Sequence, residues 1–199
     1  MAGTPLKLIV GLGNPDAEYL RTRHNAGFWF VEELARKYGA TFRSESRHQG
    51  QLARTRIAGE EVWLLKPMTY MNRNGGPTRS VATFYKIPVE EILVAHDELD
   101  FEAGVVKLKQ GGGAAGNNGI KDIIATMGAD FWRLRLGVGK PPATGIEHVL
   151  SRPSAAEERA IHDCIAVGIE AVPVIIEQGG QRAMNRLHTR AAPPAATEG

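Results

Sequence analysis

Residues 92–100 read Ile92-Leu93-Val94-Ala95-His96-Asp97-Glu98-Leu99-Asp100. An apolar strand, Ile92–Ala95, gives way abruptly to a run of ionisable side chains. The same design occurs twice more. The apolar run Val62-Trp63-Leu64-Leu65 is followed by Lys66-Pro67-Met68-Thr69-Tyr70-Met71-Asn72-Arg73-Asn74-Gly75. A first strand from Leu6 ends in Gly11-Leu12-Gly13-Asn14-Pro15, with Arg21-Thr22-Arg23-His24-Asn25 shortly after. In an open α/β sheet, ligands bind in the crevice beyond the carboxyl ends of the strands. Strands that deliver Asn14, Asn72 and Asp97 to one rim, with His24 nearby, therefore describe an active-site mouth. Their common placement carries more weight than any one of them.

The rest of the chain supplies the surrounding elements. Phe28, Val31, Leu34, Ala35 and Tyr38 recur at helical spacing between Asn25 and Gly39. Gln51 to Leu65 reads as a hairpin with its turn at Ala58-Gly59-Glu60. A helix is predicted over Pro77–Lys86, closed by Pro88, and a strand over Val105–Lys109. The Gly-rich loop 111–116 leads into a helix at about 119–127, and Phe131–Val138 follows as a strand. Ser154 and Glu157 form an S-x-x-E capping box, opening a long helix towards Glu177 that Pro173 should kink. After Gly179 the periodicity is lost. These elements predict an α/β fold: a single domain, 1–190, with a twisted mixed β-sheet surrounded by helices, and a disordered tail, 191–199.

Composition bounds the function. The 199 residues are 43% hydrophobic and 23% charged, enough for one substantial core. A formal net charge of +2 hides an uneven distribution. Residues 20–56 hold eight Arg or Lys against three Glu, a balance of +5, and residues 103–140 hold six against two Asp, a balance of +4. Surplus positive charge in a nearly neutral protein points to an anionic partner met by one face, although a solvated basic surface would look the same. The lone cysteine, Cys164, falls in an apolar helical stretch and reads as a small buried hydrophobe. There is no signal-peptide pattern and no apolar run near the roughly 18 residues of a membrane span, so a cytoplasmic protein with no membrane association is expected.

The chemistry centres on His24. Imidazole titrates near neutrality and suits a general base, and Asp97 can accept its ring N–H to fix the tautomer. With no Ser or Cys elbow in sight, the pair points to an activated water. Asn14, Asn72 and Asn118 each offer a donor and an acceptor, suited to a peptide or to an oxyanion. The bland reading stands beside this one, since Asn after Gly often makes a turn and Asp after a strand often caps a helix. Rival cofactor sites fail on the residues. The Gly11-x-Gly13 start has Asp16 where a dinucleotide fingerprint needs a third glycine, and Pro15 sits where its helix would open. P-loop, CxxC and HExxH patterns are missing, and His48, His148, His162 and His188 are scattered without metal-ligand spacing, which leaves them as surface histidines.

Taken together, Val10-Gly11-Leu12-Gly13-Asn14-Pro15, Arg23-His24-Asn25-Ala26-Gly27, Lys66-Pro67-Met68-Thr69-Tyr70-Met71-Asn72, His96-Asp97-Glu98-Leu99-Asp100 and Asn118-Gly119-Ile120-Lys121-Asp122-Ile123 resemble bacterial peptidyl-tRNA hydrolase over about residues 6–188. The resemblance implies a monomer that uses no metal or cofactor. It cleaves the ester joining a peptide to the tRNA 3′ end and so recycles tRNA from prematurely released peptidyl-tRNA. It assigns His24 as catalytic and Asp97 as its orienting partner. It makes Asn14, Asn72 and Asn118 the residues that hold peptide and water, and places Tyr19 at the tRNA end. It also makes Lys109 and Arg135 a basic pair for the tRNA 5′ phosphate.

The chain departs from that family in one loop. Where family members commonly read HGGHNG, it has Ala114-Ala115-Gly116-Asn117-Asn118-Gly119. Asn117 can still donate a hydrogen bond but carries no charge near neutral pH. It is expected to bind substrate with altered grip, the chemistry being retained. The alternative is a non-catalytic RNA-binding protein on the same scaffold, similar to the family's plant organellar splicing factors.

Overall fold

The first strand, β1 (Leu8–Gly11), is buried throughout, and its residues alternate between two cores. Ile9 packs in a cluster with Phe30, Val31, Leu34 and Ile165, whereas Leu8 and Val10 join Val81, Ile120 and Ile123. A central parallel strand needs helices on both faces, and the period-2 alternation divides its side chains between them. The computed structural model describes residues 3–140 and 145–189. The tail expected to be disordered, 191–199, lies outside the described residues.

The remaining strands are β2 (Arg43–Glu45), β3 (Gly50–Ile57), β4 (Glu60–Pro67), β5 (Ile92–Glu98), β6 (Val106–Gln110) and β7 (Trp132–Gly137). They form one seven-stranded sheet in the order β2-β3-β4-β1-β5-β7-β6. β1 pairs in parallel with β4 and β5, and β5 with β7, while β3 and β6 run antiparallel to their neighbours. The registers Val10↔Leu65, Gly11↔Ala95 and Asp97↔Leu136 put the carboxyl ends of β1, β4, β5 and β7 on one rim. On one face lie α1 (Ala26–Lys37), α5 (Ala155–Gln178) and α6 (Gly180–His188), and on the other α2 (Gly75–Phe84) and α3 (Asn118–Met127). The short α4 (Gly145–Val149) lies at the rim beside His24's segment.

The expected hairpin is present: β3 and β4 pair from Gly50↔Pro67 to Ile57↔Glu60. Its two turn residues, Ala58 and Gly59, both have positive φ (51° and 80°), which matches the twist of the flanking strands. The capping box also forms, Ser154 Oγ accepting from Glu157 N and Ser154 N donating to Glu157 Oε1. Cys164 is buried, and burial pushes its thiol up to about 12.

Three expectations change. β5 continues past Ala95 through His96, Asp97 and Glu98, all buried: Asp97 meets His24 and Asn117, Glu98 meets Arg135, and His96 Nδ1 donates to the Asp97 carbonyl. α6 forms after Gly179 (φ 93°), although the sequence loses its periodicity there. Its apolar stripe is short, Ala183 and Leu187, with Gly180 pressed on the Trp132 ring. α6 lies along the edge strand β6, where Leu108 N donates to His188 Nε2 at 3.3 Å. His48 is likewise no surface histidine: it is buried, with Nδ1 2.7 Å from Ser80 Oγ.

The approach of α1 to the rim is set by two glycines. A Cβ on Gly27 would run into Ala95 O and come within 2.6 Å of Leu12 N, and one on Gly11 would run into Gly27 O. These are backbone atoms, which cannot swing aside. Gly27→Ala should therefore lower unfolding free energy by about 1–3 kcal/mol, the usual cost of overpacking. Gly76→Ala, with open space around it in α2, should be neutral or slightly stabilising. Urea melts of the two variants check this contrast.

Candidate active site

His24 is delivered by a 3-10 turn, Arg23–Asn25, that runs directly into α1. Both flanking residues anchor the turn. The buried Arg23 guanidinium donates to both carboxylate oxygens of Glu157 at 3.0 Å, to Ser151 Oγ at 2.5 Å and to Arg152 O at 2.9 Å. Asn25 clasps the backbone of Asn14: its Oδ1 accepts from Asn14 N at 2.8 Å and its Nδ2 donates to Asn14 O at 3.0 Å. Asn14 Oδ1 in turn accepts from Met71 N at 2.8 Å. Three segments remote in sequence are thus tied together, and Nδ2 of Asn14 is left as the donor available to a ligand.

His24 Nδ1 donates to Asp97 Oδ2 at 2.8 Å, which leaves Nε2 as the unprotonated nitrogen. Both side chains are largely buried, 12% and 2% exposed. Burial opposes protonation of His24, but the charge of Asp97 and its hydrogen bond outweigh it, so the pKa lies above the ordinary imidazole value. The pair lines a cavity of about 410 Å³ together with Asn14, Tyr70, Met71, Asn72, Glu98, Leu99 and the loop 115–118. Asn72 and Asn118 are exposed on its wall. Ile146, Val149 and Leu150, in and just after α4, supply an apolar side.

The other sequence candidates fall in different places. Tyr19 sits on a neighbouring 3-10 turn, Ala17–Tyr19, outside the cavity lining, whereas Tyr70 lines it, its hydroxyl donating to Asp16 Oδ2 at 2.7 Å. Asn117, read from the sequence as a substrate contact, is buried and turned onto the protein: Nδ2 donates to Asp97 Oδ1 at 3.1 Å. Lys109 and Arg135 share one face of the β6–β7 pair with Lys107 and Arg133, in the register Lys107↔Arg135 and Lys109↔Arg133. Arg135 is not free, for its Nε and a terminal nitrogen bond Glu98 Oε1 at 2.8 and 2.5 Å, and its guanidinium lies 4.5 Å from the Phe101 ring centroid. Lys109 has its pKa lowered by burial and by the charges of Arg135 and Arg133.

Sequence reasoning passed over Arg23, Asn25, Tyr70 and Arg133, although each stands in a quoted motif or the basic segment. Arg133 is buried and donates to the carbonyls of Gly112 and Gly113, fixing the Gly-rich loop. The alternation Arg133-x-Arg135 on a strand was the available signal that both share a face. Among the described residues, no group of three His, Cys, Asp or Glu is placed to hold a metal ion, and no helix is long and apolar enough to cross a membrane.

The peptidyl-tRNA hydrolase family profile matches residues 8–195. The chain belongs to that family. It is 50% identical over 188 residues to a peptidyl-tRNA hydrolase of Neisseria gonorrhoeae (strain NCCP11945), covering 93% of this chain and 98% of the relative. It is 51% identical over 195 residues to one from Cupriavidus necator, covering 92% and 98%. The crystal structure of peptidyl-tRNA hydrolase from Acinetobacter baumannii superposes with a TM-score of 0.91 at 44% identity, over 98% of this chain and 100% of that one. The α/β fold with its mixed sheet is that of this family, and the relatives are named as enzymes. Nothing in these likenesses supports the non-catalytic RNA-binding reading.

The His24–Asp97 pair has opposite consequences for stability and for a base. A raised folded-state pKa contributes stability that is fully present below the unfolded value of about 6.5 and is lost as pH rises through the folded value. Base function needs neutral His24 and so appears over the range where that stabilisation disappears. The acid limb of kcat/KM should therefore lie above pH 6.5. In Asp97→Asn, burial is left unopposed, so the limb should move to lower pH while the plateau rate falls. A pH–rate profile of both proteins tests this; an unmoved limb would show that His24 is not the titrating group.

Proposed function

We propose that the protein hydrolyses the ester between the peptide and the 3′-terminal ribose of peptidyl-tRNA, with His24 as general base, and so returns tRNA to translation. The observation that carries the reading is the 2.8 Å bond from His24 Nδ1 to Asp97, which aims an unprotonated Nε2 at a cavity walled by amides. Nε2 takes a proton from water as the oxygen attacks the ester carbonyl. Negative charge develops on the carbonyl oxygen, and Asn14 Nδ2 and the amide of Asn72 are the donors within the cavity to stabilise it. The tetrahedral intermediate collapses with departure of the ribose oxygen, which recovers the proton from the imidazolium. Free peptide carboxylate and tRNA result. A ribose alkoxide is a far better leaving group than an amide nitrogen, so the balance closes on water alone.

The substrate's other groups have suitable partners. Asn118, exposed on the wall, faces the peptide, and Ile146, Val149 and Leu150 offer it apolar surface. Tyr19, near Tyr70 at the mouth, suits the tRNA end. Lys109 and Arg135, on the β6–β7 face, suit the 5′ phosphate, since phosphate contacts supply affinity and position. Glu98 offsets part of Arg135's charge, which makes Lys109 the stronger anion partner.

The test is incubation with N-blocked aminoacyl-tRNA, following acyl release. His24→Ala should lower kcat by about 10²–10⁴-fold, the usual cost of losing a general base, with tRNA binding retained. Turnover close to wild type would overturn the assignment. Lys109→Ala should raise KM and lower its logarithmic salt slope by roughly one, because one phosphate contact is lost. On a minimal ester lacking the tRNA body it should act like wild type; equal losses on both substrates would refute the phosphate contact.

A further inference from the structure

Asn117 stands at the exit of the Gly-rich loop, buried, with its whole side chain engaged by the protein. Its Oδ1 accepts from Ile120 N at 3.1 Å, capping α3. Its Nδ2 donates to Asp97 Oδ1 at 3.1 Å and to the Asp97 carbonyl at 3.3 Å. Its pose is fixed from both sides. Asn117 N donates to Ala114 O at 3.0 Å, the loop turns through Ala115 and Gly116 at φ 49° and 81°, and Arg133 holds the carbonyls of Gly112 and Gly113. The next residue, Asn118, is exposed and free to meet a ligand.

A carboxylate held by one partner can turn about its last bond and present either oxygen. Here the two oxygens have different donors, Oδ2 from His24 Nδ1 and Oδ1 from Asn117 Nδ2, and this fixes the plane of the group. We infer that Asn117 is a positioning residue for the catalytic pair, fixing Asp97 so that His24 keeps one tautomer and one orientation. This rests on the reading of His24 as the base. The amide has no proton to lose near neutrality, so the hold on Asp97 is the same on both sides of the His24 titration. It also draws negative charge towards Oδ1, which moderates how strongly Asp97 raises the basicity of His24. The structure thus gives the departure from the family's loop pattern a role in the chemistry of the pair, distinct from substrate grip.

The helix cap and the carboxylate clamp can be separated. Asn117→Ala removes both, whereas Asn117→Ser restores a good cap on a side chain too short to reach Asp97 Oδ1. Melting temperature reports the cap, kcat and KM report the reaction, and ¹⁵N-imidazole NMR titration reports His24 without any turnover. In Asn117→Ser the melting temperature should return to near that of wild type while kcat stays about ten-fold low, the size of one hydrogen bond to a charged group. KM should hold, and the His24 midpoint should rise because Asp97's charge is no longer shared. A serine variant with wild-type kcat and midpoint would make Asn117 a helix cap only. A loss confined to KM would make it a substrate contact. Either result overturns the inference, whereas hydrolysis that survives in His24→Ala would instead overturn the base assignment beneath it.

Discussion

The close approach of Gly27 to Leu12 and Ala95 is the constraint on which the site depends. It brings the start of a helix within backbone contact of two strand ends, nearer than any side chain would permit. The residues just before the helix are therefore set over the rim, where Asn25 locks onto Asn14, Asn14 onto Met71, and Arg23 onto Glu157. His24 is held between these anchors and has little freedom of its own. An imidazole placed this way has lost its orientational entropy when the protein folds, so none need be lost when a ligand arrives.

Much of this was legible because strand ends announce themselves. Apolar runs broken by Asn, His and Asp mark both a sheet and its rim, and His24, Asp97, Asn14, Asn72 and Asn118 all meet at one cavity. The hairpin and the capping box rest on local rules that tertiary context did not override. What escaped depends on long-range partners. Nothing near Arg23 in the chain predicts a carboxylate 134 residues away, and nothing near Asn117 predicts that its amide turns inward to Asp97. Residues 96–98 read as the end of a strand because they are ionisable, yet β5 carries them on, buried, with Asp97 and Glu98 meeting His24, Asn117 and Arg135. α6 escaped for the opposite reason: two buried side chains are too short a stripe to stand out as a period.

The basic face shows how charge counts mislead in detail. Residues 103–140 carry the surplus expected of an anion-binding surface, but their arginines are not equivalent. Arg133 spends its guanidinium on two loop carbonyls and Arg135 shares Glu98 and the ring of Phe101, whereas Lys109 on the same face makes neither commitment. Composition sets how many charges a face has, while packing decides how many a ligand can use.

The helix at the C-terminal side has a bearing on solubility. β6 is the last strand on its side of the sheet, and an open strand edge is a template on which another chain can add by main-chain pairing. Here α6 lies along it, and a neutral ring nitrogen of His188 takes the outward N–H of Leu108. Partial desolvation and the nearby charges of Lys107 and Arg135 lower the pKa of that imidazole, which favours the neutral form that can accept. A helix with only two buried side chains thereby guards against sheet-to-sheet polymerisation, and a chain shortened before it would face its neighbours with an unsealed β edge.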